Sequence, residues 1–141
     1  MRILGLDYGD KTVGVAVSDP FGWTAQGVEI IKRNSENEYK QSLGRLEELI
    51  KEYEVDTIVL GYPLNLNGSV SERCKKTEAY KERIERRFTK IPVILWDERL
   101  STVAAANFLM EAGLNNGQRK GVIDKMAAVY ILQGYLNSIK Q

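Results

Sequence analysis

The stretch ILGLDYGDKTVGVAVSD, from Ile3 to Asp19, decides how the rest of the chain is read. Two apolar runs of strand length, Ile3–Tyr8 and Val13–Ser18, flank a short turn at Gly9–Asp10, which predicts an antiparallel hairpin. One carboxylate, Asp7, sits near the end of the first run, where a strand bound for a buried sheet has no obvious use for a charge. An acid that initiates the turn before Gly9 is one reading of it. The other is functional, and depends on which further residues reach the same end of the sheet.

Working outward, Thr24–Lys32 reads as a third strand after a turn at Pro20–Gly22. Glu36–Glu54 has helical spacing, with Leu43, Leu46, Leu49 and Ile50 on one stripe. Thr57–Gly61 (TIVLG) is short, β-branched and apolar, as a strand covered on both faces should be. The turn-rich YPLNLNGS follows, then a charged helix over Ser71–Phe88 and another buried strand over Val93–Trp96. Ser101 or Thr102 can cap a helix that stops at Gly113, and NNGQRKG reads as a loop. A last helix carries Ile123, Met126, Ala127, Tyr130 and Ile131 at i, i+3, i+4, i+7 and i+8. The order β-β-β-α-β-α-β-α-α implies an α/β fold: a mixed sheet with a hairpin-built antiparallel edge, parallel strands and flanking helices. Its 141 residues suit one domain, 1–141.

Composition removes several kinds of chemistry. There is no histidine and only one cysteine, Cys74, so an ordinary zinc site, an imidazole base and an internal disulfide are all excluded. A metal, if used, needs oxygen ligands, which favours Mg²⁺ or Mn²⁺. The expected location is cytoplasmic, with no membrane association, because every apolar run is interrupted and no signal-peptide pattern opens the chain. A net charge of +1 gives no whole-chain argument for nucleic acid. Acids concentrate between Glu36 and Asp56, which leaves a basic excess elsewhere, much of it from Arg73 to Lys90. Such runs are usually solvated helix faces. Trp23 and Trp96 read as packing residues.

Three further acids are placed to join Asp7. WDERL puts Asp97 and Glu98 where the last strand ends, and VIDKMAAVYIL puts Asp124 in the first turn of the final helix. Ligands of open α/β sheets gather beyond the carboxyl ends of strands. Carboxylates brought together there repel one another, and a divalent ion relieves that repulsion. One or two such ions activate water and steady a leaving oxygen in phosphodiester hydrolysis. Plainer readings remain open at this point: Glu98 paired with Arg99 or Lys125, and Asp124 favoured by the helix dipole. Gly61, Asn65, Asn67 and Gly68 could present N–H groups to phosphate, and Lys11 and Arg99 flank the acids within reach of a nucleic-acid backbone.

Four blocks, LGLDYGDKTVGVAVSD, LGYPLNLNGS, WDERLSTVAA and IDKMAAVYILQGYL, resemble the signature blocks of the bacterial YqgF family, over Arg2 to Leu136. That resemblance implies an RNase H-like fold related to the Holliday junction resolvase RuvC. Members are described as Holliday junction resolvases and as nucleases maturing the 5′ end of precursor 16S ribosomal RNA. It implies Asp7, Glu98 and Asp124 as catalytic, metal-holding acids, with Asp97 as the candidate fourth ligand. Lys11, Asn65, Asn67, Arg99 and Lys125 are then the expected nucleic-acid contacts. The expectation is a metal-dependent nuclease acting on precursor ribosomal RNA or branched DNA, as a monomer or weak homodimer. A four-way junction calls for two sites and so a dimer, and no apolar face is plainly spare, which favours RNA. Two other readings stand beside it. DYGDKTVGVAV also resembles the first phosphate loop of the actin, hexokinase and chaperone ATPase group, although those proteins close two domains on ATP. The fold could also serve only to bind structured RNA.

Overall fold

The computed structural model describes residues 2–34, 39–99 and 116–139, the side chains of 116–125 excepted. The elements are β1 (Arg2–Tyr8), β2 (Thr12–Ser18), β3 (Ala25–Lys32), α1 (Lys40–Tyr53), β4 (Val55–Tyr62), α2 (Glu72–Arg87), β5 (Val93–Asp97) and α3 (Asn116–Ile139). One five-stranded sheet runs in the order β3-β2-β1-β4-β5. β1–β2 and β2–β3 are antiparallel, and β1–β4 and β4–β5 parallel, so the hairpin edge and the parallel half expected from the sequence share β1 at their junction. Among the described residues no helix is long and apolar enough to cross a membrane.

Alternation along the strands builds two cores. Leu4, Leu6 and Tyr8 of β1, with Val13 and Val15 of β2 and Ile58 and Leu60 of β4, face Leu43, Leu46 and Leu49 of α1 and Tyr80 and Ile84 of α2. On the other face Ala16 and Val59 meet Ala128, Ile131, Leu132 and Leu136 of α3. That second face is built from small residues, so the helix lies close to the sheet. A Cβ on Gly5 would stand 2.6 Å from Leu132 Cβ and 3.2 Å from the Ala128 carbonyl oxygen.

The hairpin is fastened from beneath by Arg33, which is 5% exposed. Its guanidinium donates to the Tyr8 hydroxyl at 2.7 Å, to the Asp10 carbonyl at 2.8 Å and to the Gly9 carbonyl. Tyr8 stacks on Tyr80 with centroids 4.2 Å apart, and the Tyr80 hydroxyl donates to Ser42 Oγ at 3.0 Å. Burial pushes both phenols up to about 12, so they act as neutral hydrogen-bonding groups.

Several local expectations are corrected. The Gly9 N–H donates to the Thr12 carbonyl at 2.8 Å, so the chain reverses through Asp10–Lys11 rather than Gly9–Asp10. Helix α1 begins at Lys40 after its N-cap Tyr39 and ends where Glu54 takes φ 53°; the expected start at Glu36 lies outside the described residues. β5 is an edge strand and only half-buried along its length. Trp23 is exposed rather than packed. Of NNGQRKG, residues 116–121 are helical, not a loop. Two glycines there lower helix propensity by about 1 kcal/mol each, which reads locally as a break, but the long apolar stripe downstream carries the helix through them. The helix predicted to start at Ser101 or Thr102 lies outside the described residues.

Gly5→Ala tests the close approach of α3. The added methyl meets Leu132 and backbone, and overpacking of this kind costs about 1–3 kcal/mol. Urea unfolding should show a midpoint lowered accordingly; an unchanged midpoint would mean that α3 does not rest on Gly5.

Candidate metal centre

Strand alternation decides which acids meet. Leu4, Leu6 and Tyr8 occupy the α1–α2 face, so Gly5 and Asp7 belong to the α3 face. In β4 the same parity puts Val59 and Gly61 on the α3 side. Leu6 pairs with Leu60, and Gly61 with Trp96, so Asp7, Gly61 and Trp96 come level at the carboxyl ends of three adjacent parallel strands. Glu98, two residues after Trp96, returns to that face as the strand ends; its N–H donates to the Tyr62 carbonyl at 3.2 Å. Its carboxylate lies over Gly61, where a Cβ would stand 2.6 Å from Glu98 Oε2 and 2.5 Å from Ile131 Cδ1. A side chain at 61 would therefore displace the acid.

Glu98 and Asp7 are in hydrogen-bond contact, and the pKa of Glu98 is pushed up to about 7. Burial is the main cause, followed by the charge of Asp7; Arg73 pulls the other way, and Asp97 adds a small upward push. A carboxyl group buried against a second carboxylate holds its proton to a higher pH than a free one does.

Asp97 has the opposite parity and another partner. Arg99 donates to its carboxylate from Nε at 2.9 and 3.0 Å, from Nη2 at 2.6 Å and from the backbone N–H at 3.0 Å. Those hydrogen bonds hold its pKa below the usual carboxylate range. Arg99 also donates to the Leu66 carbonyl at 3.2 Å. It thus pairs with Asp97, not Glu98, and ties the site to the loop after β4.

Position 124 is located by the backbone. Ala128 of α3 lies against Gly5, and Gln133 bonds Ala25 and Trp23 at the far end of the sheet, so α3 runs antiparallel to β1. One helical turn back from Ala128 is about 6 Å, and two residues on from Gly5 is about 6.6 Å. The backbone at position 124 comes level with Asp7. Because α3 begins at Asn116, position 124 is more than two turns in, not in the first turn, and the helix dipole supplies no reason for an acid there. The side chains of Asp124 and Lys125 lie outside the described residues. Among those described, no three potential metal ligands converge.

The loop residues Asn65 and Asn67 are turned inward on their own turn. Asn65 Nδ2 donates to Ser69 Oγ at 2.9 Å, and Asn67 Oδ1 accepts from the Ser69 N–H at 2.9 Å. Lys11 is exposed on the hairpin turn. Arg73, which the sequence showed only as one charge in a basic run, stands beside Glu98 in the first turn of α2.

A mixed sheet with acids at the carboxyl ends of β1 and of the edge strand β5 is an RNase H-like architecture, and the comparisons place it. The chain belongs to the family described as "RuvX: Holliday junction resolvase", whose model matches residues 1–138, the YqgF family of the four sequence blocks. It is 56% identical over 137 residues to a protein of Agathobacter rectalis, covering 97% of this chain and 95% of that one. It is 55% identical over 139 residues to a protein of Bacillus subtilis, covering 99% of each. Both carry the name "Putative pre-16S rRNA nuclease". The fold is similar to Thermus thermophilus RuvC in complex with a Holliday junction substrate, with TM-score 0.58, 15% identity and 98% and 94% of the two chains covered. It is also similar to the fowlpox virus Holliday junction resolvase, with TM-score 0.55, 16% identity and 99% of each chain covered.

Raising Glu98 to about 7 sets a pH dependence in metal-free protein. The folded pKa lies above the unfolded value, so the stability this group contributes is complete below about pH 4.5 and is lost as pH rises through 7. Glu98→Gln keeps the shape and removes the charge. In chelator at pH 8.5 it should melt roughly 5 °C above the wild type, with the gap closing by pH 5. A gap independent of pH would show that Glu98 is not held against Asp7.

Proposed function

We propose that this chain is a metal-dependent nuclease that hydrolyses a phosphodiester bond in structured nucleic acid, with precursor 16S ribosomal RNA as the substrate. The observation that carries the reading is the contact between Asp7 and Glu98 over Gly61. Two acids pressed together on a partly buried strand end repel one another, and a divalent cation between them relieves that repulsion. The naming of relatives more than half identical as pre-16S rRNA nucleases supports the choice of RNA.

The donor set fits a hard divalent ion. Two carboxylates face one another, the chain has no histidine, and its one cysteine, Cys74, is buried at the base of α2. Asp7 and Glu98 would hold Mg²⁺ or Mn²⁺, with Asp124 completing the set. When bound, such an ion neutralises charge on the phosphate and lowers the pKa of water. Glu98 gives up its proton, so occupancy rises with pH through the neutral range. Gly61 keeps the space over β4 open. The pair Asp97–Arg99 fixes the loop that borders the acids. On this reading Asp97 positions that loop through Arg99.

The test offers the purified chain two substrates with Mn²⁺: a 16S precursor bearing its 5′ extension, and a four-way DNA junction. The RNA should be cut, with a rate that climbs from pH 6 to 8, and the junction should not. Asp7→Asn should lower the rate on the order of 10³-fold, as losing a group that stabilises transition-state charge does. Full activity in excess EDTA, or in Asp7→Asn, would overturn the assignment; cutting of the junction alone would replace RNA by DNA.

A further inference from the structure

Beside Glu98 lies a cleft of about 360 Å³ between the loop after β4 and the start of α2. Pro63, Leu64 and Leu66 give it an apolar wall, and Asn65, Arg73 and Glu98 a polar one. Leu66 is 85% exposed, although the turn that presents it is firmly bonded. The Asn65 N–H donates to the Ser69 carbonyl at 3.0 Å and the Gly68 N–H to the Asn65 carbonyl at 2.8 Å. Gly68 takes φ 86°, and the Leu66 carbonyl accepts from Arg99. A large apolar side chain is thus held in water on a rigid turn, where little order remains to be lost on binding. Arg99 is committed to Asp97 and this turn, whereas Arg73 reaches the cleft from the first turn of α2 and bears on Glu98 through its charge.

We propose that this cleft is a subsite for one unpaired nucleotide next to the scissile phosphate, its base lying on Leu66 and Leu64 and its phosphate on Arg73. The inference rests on the nuclease reading and adds what that reading leaves open, the local structure of the substrate. Apolar walls accept the face of a base only when it has left its stack. A cation at the other wall matches the phosphate of the same nucleotide. Paired strands hide their base faces and offer this cleft only phosphate. The chain therefore selects a single-stranded segment, or one that opens readily, at the point of cleavage.

Binding is measured on the full chain carrying Asp7→Asn, with Mg²⁺, by fluorescence anisotropy. The probes are an RNA hairpin with a single-stranded 5′ extension, a blunt RNA duplex of equal length, and a DNA copy of the first. The extended RNA should bind about tenfold more tightly than the duplex, in the range of one stacked base. Adding Leu66→Ser should abolish that preference without weakening duplex binding. Adding Arg73→Gln should weaken the extended RNA and reduce the slope of log K against log salt by about one. A DNA copy that binds as well as the RNA supports the subsite and assigns it to the base and phosphate rather than the 2′-hydroxyl. Equal binding of extended and blunt RNA, or a preference that survives Leu66→Ser, overturns the proposal. Cleavage by the wild type, followed in parallel, reports the nuclease reading separately: preference without cleavage overturns that reading and supports the subsite, and cleavage without preference does the reverse.

Discussion

The enforced meeting of Asp7 and Glu98 is the constraint around which the molecule is arranged. Two carboxylates in contact oppose folding, and burial sharpens the opposition because water no longer screens them. Residues on both sides of the sheet outweigh that cost. The large aliphatic and aromatic core against α1 and α2 fixes β1 and β4, and the helix α3 presses on the other face. The surplus repulsion is then carried at Glu98, which keeps its proton up to about pH 7 when no cation is present. The fold, rather than the local sequence around either acid, sets that raised pKa.

Much of this was legible because strands have a period of two. Leu4, Leu6 and Tyr8 are the bulky residues of the first strand, so Asp7 falls on the opposite face with Gly5. The same count separates Glu98 from its neighbour Asp97 at the end of β5. What alternation leaves open is register. That Asp7 and Glu98 meet over Gly61 depends on Leu6 pairing with Leu60 and Gly61 with Trp96, and no single strand contains that information. Arg73 was hidden for a different reason. A cation among Glu72, Lys75 and Lys76 on a polar helix looks like any solvated face until the loop after β4 folds over beside it. The helical residues 116–121 were hidden because their glycines and amides satisfy a local turn pattern that tertiary packing overrides.

Arg33 shows how a residue with no visible motif supports the site from the opposite face. Its guanidinium closes on the carbonyls of Gly9 and Asp10, lies 4.3 Å above the Tyr8 ring and bonds the Tyr8 hydroxyl. Tyr8 in turn stacks on Tyr80, which reaches Ser42 of α1. The turn following Asp7 is therefore joined to both helices of the larger core. An acid at a strand end would otherwise lie in the part of a hairpin most prone to fray. Charge, stacking and hydrogen bonds here share one task, which is to hold the backbone around Asp7 still enough for geometry to matter.

The two faces of the sheet divide the work by side-chain size. Bulky residues toward α1 and α2 supply most of the buried apolar surface and need only fill space. Toward α3, Gly5, Ala16 and Gly61 keep the sheet thin, and Ala128 keeps the helix thin where it crosses. Thinness is what brings the backbone of α3 near enough for position 124 to stand level with Asp7. Were 5 or 61 to carry a side chain, the helix would ride outward by the width of that group, and ions that coordinate oxygen within about 2.0–2.6 Å tolerate no such displacement. The glycines therefore do for the strand ends what the acids cannot do for themselves: they set how closely α3 approaches the carboxyl ends of β1 and β4.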